Sequence, residues 1–299
     1  MNMETVDKCP VCGDLRSSDF LCPTDHTVSH EHFPIRECIA CGFCFTSPRP
    51  AQGQIGNYYL SPDYISHAAK ATGFRDHIYH LVRHLTIRAK HRLIKRTHPA
   101  GTVLDIGCGT GDFLAHLRAK GYATRGVEVS PQARAIAQGK HLDVVPVLED
   151  IPPAGPFDVV TLWHVLEHVP NPKETLAKVH DLANDGALLV IAVPDRSSWD
   201  AQHYGPDWAA WDVPRHFSHF RRQDVQRLLS DSGFALRSFR KMWYDAPYVA
   251  MLSEQYRGAG PMGSLVKGAL VGLASNAVSL FTDRPTSSSL YLAEKRKSP

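Results

Sequence analysis

The run VLDIGCGTGDFL, residues 103–114, constrains this chain more than any other stretch: a β-rich segment enters a glycine-rich turn that opens directly into a helix-like segment. It begins a series. From Thr102 onward, short β-rich runs alternate with helix-like stretches: TVLDI, ATRGVEV, DVVPV, FDVVTLW, ALLVIAV, then FALRSFRK and SSLYLAEK. Strands alternating with helices predict an α/β fold, a parallel sheet with helices on both faces. Seven runs predict seven strands. If the last two form an antiparallel edge, the 45 residues from Met242 to Thr286 are a large insertion between them.

Composition removes other classes. The 299 residues carry 33 Lys+Arg against 30 Asp+Glu and are 43% hydrophobic, which excludes disorder and coiled coil and gives no global attraction to nucleic acid or anionic membranes. The run GSLVKGALVGLASNAVSLF is interrupted by Lys267 and reads as too short before that charge to span a bilayer. The amino terminus lacks the basic-then-apolar order of a secretory signal, so the cytoplasm is the expected location. Three regions are expected: residues 1–50, rich in cysteine; residues 51–100, a helical linker or lid; and residues 101–299, the α/β domain with an apolar insertion at 242–286. In the second region Ile78, Leu81, Val82, Leu85, Ala89 and Leu93 share one helical face.

Asp105 ends the first strand of the series, and Gly107, Gly109 and Gly111 form the turn, where missing side chains let a ligand approach the backbone. A dinucleotide fingerprint would place a third glycine where Asp112 stands, so the spacing leans away from NAD. Glu128 ends the next strand, about 20 residues on, where a carboxylate can accept both hydrogen bonds of a ribose diol. FDVVTLWHVLEHVPNP then runs a buried strand into a turn at Trp163 and His164.

These motifs resemble the class I S-adenosylmethionine (SAM) dependent methyltransferases over roughly residues 100–240: DIGCGTG is similar to their first motif, Glu128 to their ribose acid, and FDVVTLWHVLEH with PNP to their fourth region. The resemblance implies a Rossmann-like seven-stranded sheet, SAM as cofactor, and a cofactor site of Asp105, Gly107, Cys108, Gly109, Gly111, Glu128, Trp163 and His164. Either Glu149 or Asp150 stands where an adenine-side acid belongs.

Six of the seven cysteines lie within the first 44 residues, and in a reducing compartment such crowding indicates metal rather than disulfides. CPVC (Cys9, Cys12) and CIAC (Cys38, Cys41) are two knuckles able to set four thiolates on one structural Zn²⁺. A rival set of three cysteines and one histidine would use Cys22 and His26 with Cys9 and Cys12, an arrangement that resembles certain ribosomal RNA guanine methyltransferases. RECIACGFCFTSPRP, followed by YY and SPDY, instead resembles the amino-terminal zinc-ribbon module of bacterial methyltransferases acting on sugars, polysaccharides and secondary metabolites, and this reading is preferred.

The acceptor side is expected in VPDRSSWDAQHYGPDWAAWDVPRHFSHF, after the fifth strand. Methyl transfer to a hydroxyl needs alignment and a group to take the proton, for which histidine suits neutral pH. His216 is the leading candidate, with His168 second, and His219 and His203 also in reach. No spacing argues for metal-assisted methylation. Arg83, Arg88, Lys90, Arg92, Lys95 and Arg96 form a basic stripe read as a solvated helix face. The expected reaction is O-methylation of a small-molecule or glycan acceptor; nucleic acid is not the expected partner. The apolar insertion fits a buried helix, a contact between copies, or a groove for a lipid-linked acceptor at a membrane periphery.

Overall fold

A computed structural model describes residues 2–51, 53–59, 74–152 and 156–296, with the side chains of 74–84 excepted. The amino-terminal module is strand and turn: β1 (Met3–Glu4), β2 (Ser17–Leu21), β3 (Ile35–Cys38), β4 (Cys44–Thr46) and β5 (Arg49–Pro50). Helix α1 (Phe74–Lys95) leads to the sheet domain. Of its expected apolar face, Leu93 is buried and Leu85 is exposed, while the side chains of Ile78, Leu81 and Val82 lie outside the described residues.

The seven β-rich runs all become strands. In chain order they are β6 (Thr102–Ile106), β7 (Ala123–Val127), β8 (Asp143–Val145), β9 (Phe157–Trp163) and β10 (Ala183–Pro194), with helices α2 (Asp112–Arg118), α3 (Pro131–Gly139) and α4 (Pro172–Leu182) between them. Local chemistry starts these helices: the Ser130 hydroxyl accepts from Ala133 N ahead of α3, and Asn171 accepts from Glu174 N ahead of α4, each with proline at the first helical position. After β10 come α5 (Trp199–Tyr204), β11 (Ser218–His219), α6 (Arg222–Asp231), β12 (Phe234–Lys241), α7 (Asp245–Tyr256), α8 (Pro261–Phe281) and β13 (Ser288–Lys295).

The main sheet has the order β12-β13-β10-β9-β6-β7-β8. Strands β6 to β10 pair in parallel, and β13 runs antiparallel to both β10 and β12. The central strands read as continuous apolar runs because both faces are covered: Leu104, Val159, Val160, Leu162, Val190 and Ile191 are all essentially inaccessible. Strand β12 therefore points the same way as the parallel strands, so the insertion after it starts at their carboxyl edge.

Two features depart from the sequence reading. The boundary at residue 50 divides the chain but not the sheets: β11, which follows β10 in the chain, pairs antiparallel with β4 and completes a four-stranded sheet of order β11-β4-β3-β2. The apolar insertion is a helical hairpin, α7 with α8, and α8 continues through Lys267 for 21 residues. By length and composition it is apolar enough to cross a membrane, which corrects the expectation drawn from the sequence run.

Candidate active site

The carboxyl ends of β6 and β7 hold the glycine turn. Gly107 and Gly109 have φ of 70° and 56°, in the left-handed region that favours glycine. A Cβ on Gly107 would strike Val165, whereas the space above Gly109 is open, which leaves a bare backbone edge for a ligand. Glu128 reaches back across this edge: its Oε2 accepts from Gly109 N at 2.8 Å and its Oε1 from Ser130 N at 2.8 Å. A carboxylate has about four acceptor positions, so two stay available to a pair of hydroxyls. Asp105, deeper in the turn, accepts from Thr161 Oγ1 at 2.5 Å, and burial raises its pKa to about 6. The Cys108 side chain packs with Leu114, Ala137, Leu142 and Val144, so its part in the loop is played by backbone.

The turn after β9 carries this edge toward the segment where the acceptor is expected. His164, with a left-handed φ of 56°, has Nδ1 3.3 Å from Glu167 Oε1 and Nε2 3.4 Å from Asp245 Oδ2. Burial opposes charge on this ring, but the two carboxylates outweigh it and raise the pKa to about 10. The Trp163 face takes the Lys90 ammonium at 4.2 Å, so Lys90 leaves the solvated basic stripe to which the sequence assigned it; burial lowers its pKa. Glu167 is buried, and its Oε2 has no hydrogen-bond partner among the described residues.

The Glu167 carbonyl accepts from Phe217 N at 2.8 Å and Ser218 N at 3.1 Å, which draws the segment around His216 against this turn. The His168 and His216 rings meet edge to face with centroids 4.5 Å apart. Nδ1 of His168 lies 3.1 Å from the Arg215 carbonyl and 3.0 Å from the Tyr59 hydroxyl, and Nδ1 of His216 lies 2.9 Å from the Ala210 carbonyl. Burial, then the His216 ring, lower the His168 pKa to about 4. Asp212 Oδ2 is 3.8 Å from His216 Nε2. A carboxylate oxygen of Glu167 and one nitrogen each of His168 and His216 lie within 4.8 Å of one another, a juxtaposition of acid and imidazoles that no sequence spacing announced.

Residues 77–238, just over half the chain, match the family model described as a methyltransferase domain. The chain belongs to this methyltransferase family. A ubiquinone biosynthesis O-methyltransferase of Thiobacillus denitrificans is 33% identical over 158 residues, covering 48% of this chain and 68% of the relative. One from Xanthomonas axonopodis pv. citri is 26% identical over 166 residues, covering 50% and 70%. One from Pseudomonas paraeruginosa is 29% identical over 134 residues, covering 40% and only 57%. Magnesium protoporphyrin IX methyltransferase from Synechocystis PCC 6803 with bound SAH superposes with a TM-score of 0.53 at 14% identity, over 82% of this chain and 100% of that one. The [4+2]-cyclase SpnF gives 0.50 at 16% identity, over 70% and 81%. At such identities the two structures speak for the fold alone.

The protein is thus a SAM-dependent methyltransferase, and its glycine turn fits that cofactor: the open backbone at Gly109 and the two remaining acceptor positions of Glu128 suit a ribose diol. Of the two acids expected on the adenine side, Glu149 is ion-paired with Lys178.

The other residues singled out by the methyltransferase's sequence lie outside this cluster of acid and imidazoles. His219 is a core residue, 2.9 Å from Thr46 Oγ1, with its pKa lowered by burial. His203 is exposed and stacks on Trp199 at 5.0 Å, apart from the imidazole pair. In the module, Cys9, Cys12, Cys38 and Cys41 bring their sulfurs within 4.8 Å of one another, with Cys9–Cys41 at 3.6 Å and Cys12–Cys38 at 3.5 Å. Cys22 is exposed and His26 stacks on Tyr256 at 4.1 Å, so neither joins the cluster.

Sequence reasoning missed Asp25, Arg215 and Asp212. Arg215 and Asp25, both buried, pair at 3.0 Å, and Arg215 also binds Asp212 at 2.7 Å and the Tyr58 carbonyl at 2.9 Å. Thr46 Oγ1 donates to the His216 carbonyl at 2.8 Å. The cysteine module thereby grips the backbone that carries His216, and only the PRHFSHF run hinted at this segment's importance.

Proposed function

We propose that this methyltransferase O-methylates a small hydroxyl-bearing acceptor, sugar-containing or a secondary metabolite, with His216 as general base. One observation carries the reading. A carbonyl oxygen only accepts, so the contact from Ala210 puts a neutral His216 proton on Nδ1 and leaves Nε2 as the basic nitrogen. The Asp212 carboxylate near Nε2 would compensate the imidazolium formed when the acceptor hydroxyl gives up its proton. His168 is the poorer base, because its environment resists protonation. SAM supplies the methyl group by in-line displacement, and the chain's own work is to orient the acceptor, exclude water and take the proton. Relatives named as O-methyltransferases support a hydroxyl acceptor.

The same reading gives the thiol cluster one structural Zn²⁺. Zinc–sulfur bonds of ~2.3 Å in a tetrahedron separate the sulfurs by ~3.8 Å, close to the spacing of the two short pairs. A closed site of four thiolates would hold the module, and through β4 and β11 the acceptor wall, without touching the methyl group. Crowded free thiols fit a reducing, cytoplasmic setting.

The test is His216→Ala. Turnover should fall ~10²-fold or more with SAM affinity kept within about twofold. Near-normal kcat would overturn the assignment.

A further inference from the structure

Helix α8 is built inside out. A surface helix in water packs its large apolar residues and exposes polar ones. Here the packed stripe is Ser264, Gly268, Gly272, Ser275 and Ser279, all buried. A Cβ on Gly268 would strike the Met251 backbone of α7 and one on Gly272 the Pro247 backbone, and Ser275 donates to the buried Asp200 at 2.8 Å. Met262, Val266, Leu270, Leu273, Leu280 and Phe281 turn outward instead, each more than half exposed. At 100° per residue these six centre opposite the packed stripe, and Lys267 and Asn276 fall on its flanks. The stripe runs ~30 Å.

The charge around this face and the aromatics at its end choose what covers it. Helix α8 has no acidic residue, and both acids of α7 turn inward, Asp245 to His164 and Glu254 to the Tyr204 hydroxyl. Among the described residues of this stretch, Lys267 and Arg284 are exposed, against one exposed acid, Asp283. Trp243 and Tyr244, at the start of the hairpin, are exposed aromatics of the kind that settle at headgroup level. Packed against α7 and bonded to Asp200, α8 is held parallel to the protein surface rather than free to cross a membrane.

We propose that the α7–α8 hairpin docks the methyltransferase on an anionic bilayer, with the outer face of α8 sunk to the headgroup–acyl boundary and its flanking cations on the headgroups. Because α7 begins at Asp245, which touches His164, docking sets the acceptor side of the site beside the leaflet. This surface is independent of which hydroxyl is methylated.

Vesicle flotation of the full chain tests it. Wild type should float with phosphatidylcholine vesicles containing phosphatidylglycerol and bind phosphatidylcholine alone more weakly. Leu270→Glu combined with Leu273→Glu should lower partition ~10-fold or more. Lys267→Glu should lower it about fivefold on the anionic vesicles only. Both should keep wild-type SAM affinity by calorimetry. If the double glutamate variant loses SAM binding, Leu270→Gln with Leu280→Gln is read in its place. Wild type that stays unbound, or variants that float equally well, overturn the proposal. So does a wild-type dimer in sedimentation velocity that the variants lose while vesicles bind neither.

Discussion

The two halves proposed for the active site, one for the cofactor and one for the acceptor, are assembled in opposite ways. The cofactor half comes from one stretch, Asp105 to Glu128, in which a strand, a turn, a helix and the next strand close on themselves through the Gly109–Glu128 hydrogen bond. The acceptor half gathers Asp25 and Thr46 from the cysteine module, Tyr59, the turn from His164 to His168, the segment from Asp212 to His219, and Asp245. Its central ion pair joins residues 190 positions apart. The first half should survive damage to the second, and the second should fail whenever the module is loosened.

The sharpest break is removal of the proposed zinc. Because metal binding in such sites is itself folding free energy, of order 10–16 kcal/mol, Cys38→Ser should lose the ion by elemental analysis and abolish acceptor methylation. Calorimetry should still find SAM bound within about threefold of wild type; joint loss of both would show that the halves are not separable.

Next comes Arg215→Met, which leaves the Asp25 carboxylate buried without its cation. The expected cost is about 3–5 kcal/mol, read as a lower unfolding midpoint in urea together with reduced kcat/KM. The double variant Asp25→Asn with Arg215→Met should recover part of that stability, because the buried Asp25 charge is then no longer left without its cation.

Glu128→Ala probes the opposite half. Loss of a charge-assisted hydrogen bond worth ~1.5–3 kcal/mol should weaken SAM binding ~10-fold or more. At saturating SAM, kcat for the acceptor should stay within about threefold, since the imidazole pair is untouched. Unchanged SAM affinity would reject Glu128 as a cofactor ligand.

The smallest effect is a pH dependence of the acceptor half. The folded pKa of His168 lies near 4, below its ordinary 6.5, so on acidification the unfolded chain takes up a proton that the folded ring refuses. Its contribution is intact above pH 6.5 and lost as pH falls toward 4. Over the unit from 6.5 to about 5.5, wild type should lose at most ~1.4 kcal/mol relative to His168→Gln. Parallel stability profiles for the two proteins would remove this histidine from the buried cluster.

The seven strands, their order of types and the glycine turn were legible because each depends on neighbours in sequence: apolar runs, helix caps such as Ser130 and Asn171, and a backbone shape that glycine permits. The four thiols were legible for the same reason, since each CxxC knuckle presents its two sulfurs locally. The union of His168 with His216 was not, because it depends on Phe217 and Ser218 bonding to the Glu167 carbonyl and on β11 pairing with β4 across the domain boundary. The fate of Lys90 could not be read from a stripe of like charges, since it is decided by the Trp163 face beneath it. In α8 the glycines and leucines were visible from the start. Only the packing decided which of them faced the protein, because two backbones can approach closely just where a side chain is missing, and that requirement drives the leucines outward.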